Sequence, residues 1–354
     1  MTVTPFSSTH AVETWDAWFR WRERGRLRDV TVEDTWARVA SAVSAGLRTP
    51  RADFAPHLFD AMHGWKLLLD ERLLASAGTP SPQWDARNLG AALNVAAFVR
   101  APGMAHATLD LAALQESACL AVCALDAAAR AIATDMPPRS LHIGLLGVGD
   151  ALHALGLEYD SDAACAQVAA VAAALAHSSL SCALALARAA PPAVQPDPAW
   201  FERAARRALP REWLDAAARH GVAFDTLTAI VPQQRLASFA NRASDALDPV
   251  LEPAATPSAF DVARGAPLRL NVASAHRHAP AVASVAAQLR LRAVAQPWID
   301  APIDYPVVCA AAPDSGTQET WRAQALELGL VPPLWRLATA DAGVGAPPRQ
   351  PAAV

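Results

Sequence analysis

The sequence predicts a mainly α-helical fold with a few strands, and three observations point there. Apolar residues recur at helical spacing over long stretches, as in Trp36, Val39, Ala40, Val43 and Leu47. Alanine is abundant, which lets helices approach closely. Strand-like runs are short: 223–231 ("AFDTLTAIV"), ended by Pro232, and 305–311 ("YPVVCAA") are the best candidates. Over 354 residues, 53% apolar and 18% charged side chains describe a globular chain with a sizeable core, outside the disordered regime.

Each element has its own signal. Residues 1–30 are rich in Trp and Arg without a firm period. Thr31 and Asp34 form a capping-box-like start for the helix through Leu47. Residues 54–78 read as one or two helices ended by Gly78 and Pro80. Asp110 caps a long pattern through Leu114, Ala118, Ala121, Val122, Leu125, Ala129 and Ile132, stopped by "DMPP" (135–138). Residues 141–157 have a Gly-rich front and a helical back. Ser161 starts an Ala-rich helix that "APP" (190–192) closes. Residues 193–199 read as a linker, 248–270 as Pro-spaced loop, and 317–330 as a helix.

The formal net charge of −4 gives no reason to expect a nucleic-acid partner. The N-terminus has no apolar signal-peptide core, and no stretch of about eighteen residues is both uncharged and apolar enough to span a bilayer. The nearest, 166–187, is mostly Ala with His177 and serines, and reads as a buried helix. No membrane contact is expected. The five cysteines, 119, 123, 165, 182 and 309, are odd in number and form no CxxC, which points to reduced thiols in a cytoplasmic protein.

Several residues invite a chemical reading. Gly144, Gly147 and Gly149 suggest a nucleotide loop, but the spacing is not GxGxxG and no convincing strand precedes them, so a turn or tight helix packing is favoured. Cys119 and Cys123 lie four apart, as two metal ligands would. No matching pair accompanies them, so small buried side chains are favoured and no metal is expected. His276-Arg277-His278 reads as a solvated loop. The hydroxyls of "SSLSC" (178–182) read as back-bonding to their own helix. Asp300 and Asp304 flank Pro302 without a clear acid–base relationship. From the residues alone, nothing amounts to an active site.

Taken as ordered blocks, the chain resembles the adenosylcobalamin-dependent (class II) ribonucleotide reductase large chain. "TVEDTWARVASAVS" (31–44) resembles the family's N-terminal helix. "LLLDERLLASAGTPSPQW" (67–84) is similar to the segment with "LPAGRILAGAGT", and "DARNLGAALNVAAFV" (85–99) to "GACLLGSINLARLV". The helix around Leu125-Asp126 corresponds to "MLDNVID", and 143–161 resembles "IGLGVTGLADALLMLGVRYGS". Residues 227–250 resemble "IAPTGTISL…SSGIEP", 293–305 resemble "AVQPFIDSAISKT", and the helix ending "ALELGL" (325–330), followed by Trp335-Arg336, resembles "AWRSGLKGITTYR".

The departures from the family pattern carry the functional expectation. In the family, the half-barrel with the radical cysteine separates the "AGT" and "LLGSINL" blocks. Here the two are fused at Asp85-Ala86-Arg87. Arg87 stands where the second redox cysteine is expected, and no cysteine precedes residue 119. The phosphate-cradling "PTGT" becomes Pro232-Gln233-Gln234-Arg235, "SKTVN" becomes 302–306, and the cysteine tail that reloads the site is missing. Thiyl-radical chemistry needs those thiols.

The resemblance therefore implies a remnant of the reductase α/β barrel lacking the radical-bearing half, without a closed barrel. Its parts are an N-terminal helical segment (1–50), a helical reductase-like region (51–192), a C-terminal α/β region (193–340) and a disordered tail (341–354). It implies a pseudoenzyme, with no catalytic residue and no expected cofactor, that acts through a partner. That partner is a second copy of the chain or the cell's own reductase. The alternative is a nucleotide-binding or complementing subunit in ribonucleotide reduction, where adenosylcobalamin would enter. Thr79, Asn88, Pro232 and Arg235 are the substrate-site remnants.

Overall fold

The computed structural model describes residues 4–132, 140–189, 194–250 and 283–338. The triplet His276-Arg277-His278, most of the 248–270 loop and the 341–354 tail lie outside the described residues.

Helix α1 (Thr9–Trp18) leads to a hairpin, β1 (Arg22–Glu23) and β2 (Arg26–Leu27), which turns at Arg24-Gly25 with positive φ at both. Helix α2 (Val32–Ser44) begins at the expected capping box: Thr31 accepts from the Asp34 N–H, and the Asp34 carboxylate accepts from the Thr31 N–H at 2.8 Å. Helix α3 (Phe54–His63) ends before Gly64 and Trp65, and the next residues form strand β3 (Leu67–Leu69) and helix α4 (Glu71–Ser76). The two-helix reading of 54–78 holds, with a strand that it did not foresee between the helices. Asp70 interrupts the run, and its side chain caps α4 through the Arg72 N–H.

Strand β4 (Asn88–Asn94) follows the junction. After a small hairpin, β5 (Val99–Arg100) and β6 (Thr108–Leu109), helix α5 (Leu111–Ile132) starts with Asp110 accepting from the Ala113 N–H. Strand β7 (Ser140–Leu146) occupies the supposed Gly-rich front and helix α6 (Val148–Ala154) the back. A strand therefore does precede Gly147. Helix α7 (Asp162–Ala189) begins at Ser161 as expected. By length and hydropathy, α5 and α7 would both reach across a bilayer, contrary to the sequence reading; here they are packed against each other and over half buried. The expected linker instead enters helix α8 (Pro198–Arg206), capped by Asp197, and helix α9 (Arg211–His220) follows.

The central sheet runs β3-β4-β7-β8, with β8 at Thr226–Thr228. Strands β4, β7 and β8 are parallel and β3 is antiparallel to β4. Leu89, Ala91 and Leu93 lie beside Leu141, Ile143 and Leu145. Alternation places these on one face, and Asn88, Gly90, Ala92, Asn94, Ser140, His142 and Gly144 on the other. Helix α5 packs across β3, β4 and β7, and α7 against β8. No closed barrel forms among the described residues.

The β8 edge is covered from within the chain. Asp300 accepts from the Leu227 and Thr228 N–H groups at 3.0 and 3.2 Å, and the Ala301 N–H donates to the Thr228 carbonyl at 3.1 Å. Arg207 holds Asp300 at 2.8 Å. Asp300 is thus an edge cap, and Asp304 is exposed.

Helix α10 (Gln234–Phe239) packs on α1, with Phe239 among Phe6, Phe19 and Trp65. Beyond it, helix α11 (Val285–Ala295), strand β9 (Val307–Cys309), helix α12 (Ser315–Glu327) and strand β10 (Trp335–Leu337) build a small unit with its own cluster of Val285, Leu289, Val307, Cys309, Ala325 and Leu330. The Gln288 amide completes the β9 ladder by pairing with both backbone groups of Val308.

Candidate functional site

The junction read from the sequence is a short exposed crossing from α4 to β4. The part-buried Arg38 is paired with Asp29 at 2.8 Å, and it donates to the Leu74 and Ala77 carbonyls at the end of α4. Gly78 follows with φ +76°, and a Cβ there would sit 2.7 Å from the Arg38 stem. Trp84 fixes the far side by donating its indole N–H to the Ala128 carbonyl on α5 at 3.0 Å. Between them, Thr79 donates to the Ser76 carbonyl at 2.8 Å and lines an open groove of about 420 Å³ with Pro82, Trp84 and Arg130. Arg87 is exposed.

On the small, polar face of the sheet, two of the four residues expected from the resemblance meet one charged cluster. Arg72 pairs with Asp70 at 2.9 Å and donates to the Asn88 carbonyl at 2.6 Å. The next carboxylate, Glu71, pairs with Arg235, whose guanidinium lies 3.5 Å from the centre of the Trp18 ring. Burial pushes the Glu71 carboxyl up, against the pull of Arg235. Burial also lowers His142, which Asp70 partly offsets. Asn88 and Arg235 are thus joined through Asp70-Glu71-Arg72, while Thr79 and Pro232 stand apart from that cluster.

At the carboxyl ends of the parallel strands, residues 229–250 fold back over this face. A Cβ on Gly144 would lie 2.6 Å from the Ala229 carbonyl oxygen. Gly147, at φ +68°, closes on the Asn94 side chain, and its N–H donates to the Ser244 carbonyl at 2.7 Å. These glycines serve a turn and close packing, as the sequence favoured. Pro232 is exposed, and the next N–H, of Gln233, donates to the Asp245 carboxylate at 2.7 Å.

Burial pushes Asp245 up to about 7. Asp248 is also raised by burial, against Arg336 at 2.5 Å and Arg292 at 3.9 Å. Asp150 and Ser244 bond reciprocally, and the Tyr305 hydroxyl accepts from the Leu247 N–H at 3.1 Å. Asp245 is a residue that sequence reasoning missed. Its signal was an acidic residue in a segment otherwise matched block by block.

The thiols lie elsewhere. Cys119 and Cys123 are on α5, Cys165 and Cys182 on α7, and Cys309 on β9, all unpaired. The sequence offered no partner for Cys119 and Cys123, but the structure places the Cys182 sulfur 3.4 Å from that of Cys123. Ser178 back-bonds to the Ala174 carbonyl, as expected.

Residues 84–259 match the ribonucleotide reductase barrel domain. The match begins beside the junction and spans β4, α5, β7, α6, α7 and β8, leaving the resembling blocks at 31–44 and 293–337 outside it. Among solved structures, the chain is similar to the Actinobacillus ureae class Id ribonucleotide reductase alpha subunit. The identity is 16% and the TM-score 0.47, covering 71% of this chain and 49% of that subunit. The chain thus spans about half the length of that relative. No curated protein matches it. None of these matches points to the adenosylcobalamin-dependent class.

Proposed function

We propose that this chain is a ribonucleotide-reductase-like pseudoenzyme that works through protein contacts. The observation that carries this reading is the state of the reactant-facing side of the sheet, which is occupied by the chain's own groups. The Gln233 N–H, at the position of the phosphate cradle, is taken by Asp245. Arg235, the remaining cation of that segment, is taken by Glu71 and Trp18. Arg87 stands at the redox-cysteine position and cannot form a disulfide. A radical transfer to substrate needs a thiol facing the ribose, and all five thiols are carried on α5, α7 and β9.

In this reading the ancestor is a class II enzyme, the protein is cytoplasmic, and its partner is the cell's own reductase or a second copy. The test is a ribonucleotide reduction assay on the purified full-length chain, with dithiol reductant and with or without adenosylcobalamin. It is run alongside melting curves with nucleoside di- and triphosphates and a pull-down from the native cell. No turnover, no nucleotide-induced shift and co-purification of the reductase are expected. Turnover by the chain alone overturns the reading. A nucleotide-dependent rise in melting temperature favours the alternative, a nucleotide-binding or complementing subunit.

A further inference from the structure

Cys119 and Cys123 sit one helical turn apart on α5 and point at Cys182 on α7, where the two helices cross. All three sulfurs lie within 4.8 Å of one another, the one such set of ligand atoms among the described residues. A soft cation with three metal–sulfur bonds of about 2.3 Å needs its sulfurs about 4 Å apart when trigonal, and slightly less when pyramidal. With Cys123 and Cys182 sulfurs 3.4 Å apart and all three within 4.8 Å, the cluster is close to that spacing. Cys182 is buried, whereas Cys119 and Cys123 are partly exposed, so an ion can enter from solvent and close on a preformed base.

The surroundings favour thiolate at Cys119 and disfavour it at Cys123 and Cys182. The Arg51 guanidinium acts on Cys119 and favours its ionised form. The hydrogen bond with Cys119 and burial oppose ionisation of Cys123, with a smaller push from Asp126, which is itself paired with Arg48 at 3.2 Å and Arg130 at 3.0 Å. S–H donation from Cys123 and Cys182 holds Cys119 well below the usual thiol range.

We propose that Cys119, Cys123 and Cys182 form a tri-thiolate site for one soft d10 cation, with copper(I) the best fit because it needs no fourth ligand. Binding forms three metal–sulfur bonds, breaks the S–H bonds that remain, and releases those protons to solvent; no electron is transferred. Three small side chains filling an Ala-rich seam would also pack here, but packing does not require three sulfurs to converge. The site stands apart from the sheet face discussed above, so it survives or fails independently of the reductase reading.

The test titrates the reduced full-length chain with copper(I) against a chromogenic copper(I) chelator, and separately with zinc(II) against a zinc chelator. Native alkylation, mapped by mass spectrometry, follows each titration. One ion per chain is expected, with Cys119, Cys123 and Cys182 protected and Cys165 and Cys309 unchanged. Cys182→Ala and Cys119→Ser should each abolish this protection while Cys165→Ser leaves it intact, with melting curves confirming that each variant is folded. Zinc binding in place of copper keeps the tri-thiolate site and changes its preferred ion. Failure of both ions to compete with the chelators, or unchanged binding by folded Cys182→Ala, overturns the proposal.

Discussion

The two faces of the four-stranded sheet have opposite characters. One carries Leu89, Ala91, Leu93, Leu141, Ile143 and Leu145, all buried beneath the long helices. The other carries Asn88, Gly90, Ser140, His142 and Gly144, small or polar side chains of the kind that leave room for something else. That room is filled by residues 229–250, which bring the Ala229 carbonyl and the Gln233 side chain against Gly144 and hold the Gln233 N–H on Asp245. The helix-covered face is ordinary core and tolerates little. The filled face is closed by polar pairs and close backbone contact, a different and more pH-sensitive way to bury a sheet.

The largest expected effect lies on the helix-covered face. Ile143→Ala removes a fully buried side chain and should cost about 2–5 kcal/mol in denaturant unfolding. Its half-buried neighbour, His142→Ala, should cost no more than about 1 kcal/mol. Equal costs would break the comparison.

Next is the pH dependence of the filled face. Asp245 is raised to about 7 in the fold, while an unfolded Asp titrates near 3.9. The folded state therefore binds more protons between these values. The stabilisation from the neutral carboxyl is complete below about pH 4, declines as pH rises, and is gone above about pH 7, a change on the order of 2–4 kcal/mol. Asp245→Asn should flatten that decline relative to the unaltered protein, as read by melting temperature from pH 4 to 8.

A smaller effect tests whether the face is filled at all. Gly144→Ala puts a methyl 2.6 Å from the Ala229 carbonyl and should cost about 1–3 kcal/mol in chemical denaturation. An unchanged midpoint would mean that the face is open. The smallest effect is expected at Arg235→Ala, which breaks a partly exposed ion pair. We expect about 1 kcal/mol or less, with no loss of affinity for any nucleoside phosphate measured by calorimetry.

Much of the helical architecture was legible, because caps and periodicity act over a few residues. Thr31 with Asp34, Asp110 before α5 and Ser161 before α7 all stand where spacing put them. The strands were harder. Residues 140–146 are largely buried, so "SLHIGLL" shows no clean alternation to separate it from loop or helix. Residues 67–69 precede the helix-favouring "ERLL" and merge with it by eye. The shortness of β8 follows from Asp300, which is 72 residues from Thr228 and takes the edge hydrogen bonds itself.

The candidate site divides in the same way. The meeting of two blocks at residues 85–87, the expectation of a cysteine where Arg87 stands and that of a glycine within Pro232–Arg235 concern neighbouring residues, and the sequence by itself raised them. That Gln233 is answered by Asp245, Arg235 by Glu71 and Cys123 by Cys182 was decided only by the tertiary structure. Such pairings depend on where the packed helices and strands bring distant side chains, and no local spacing records that position.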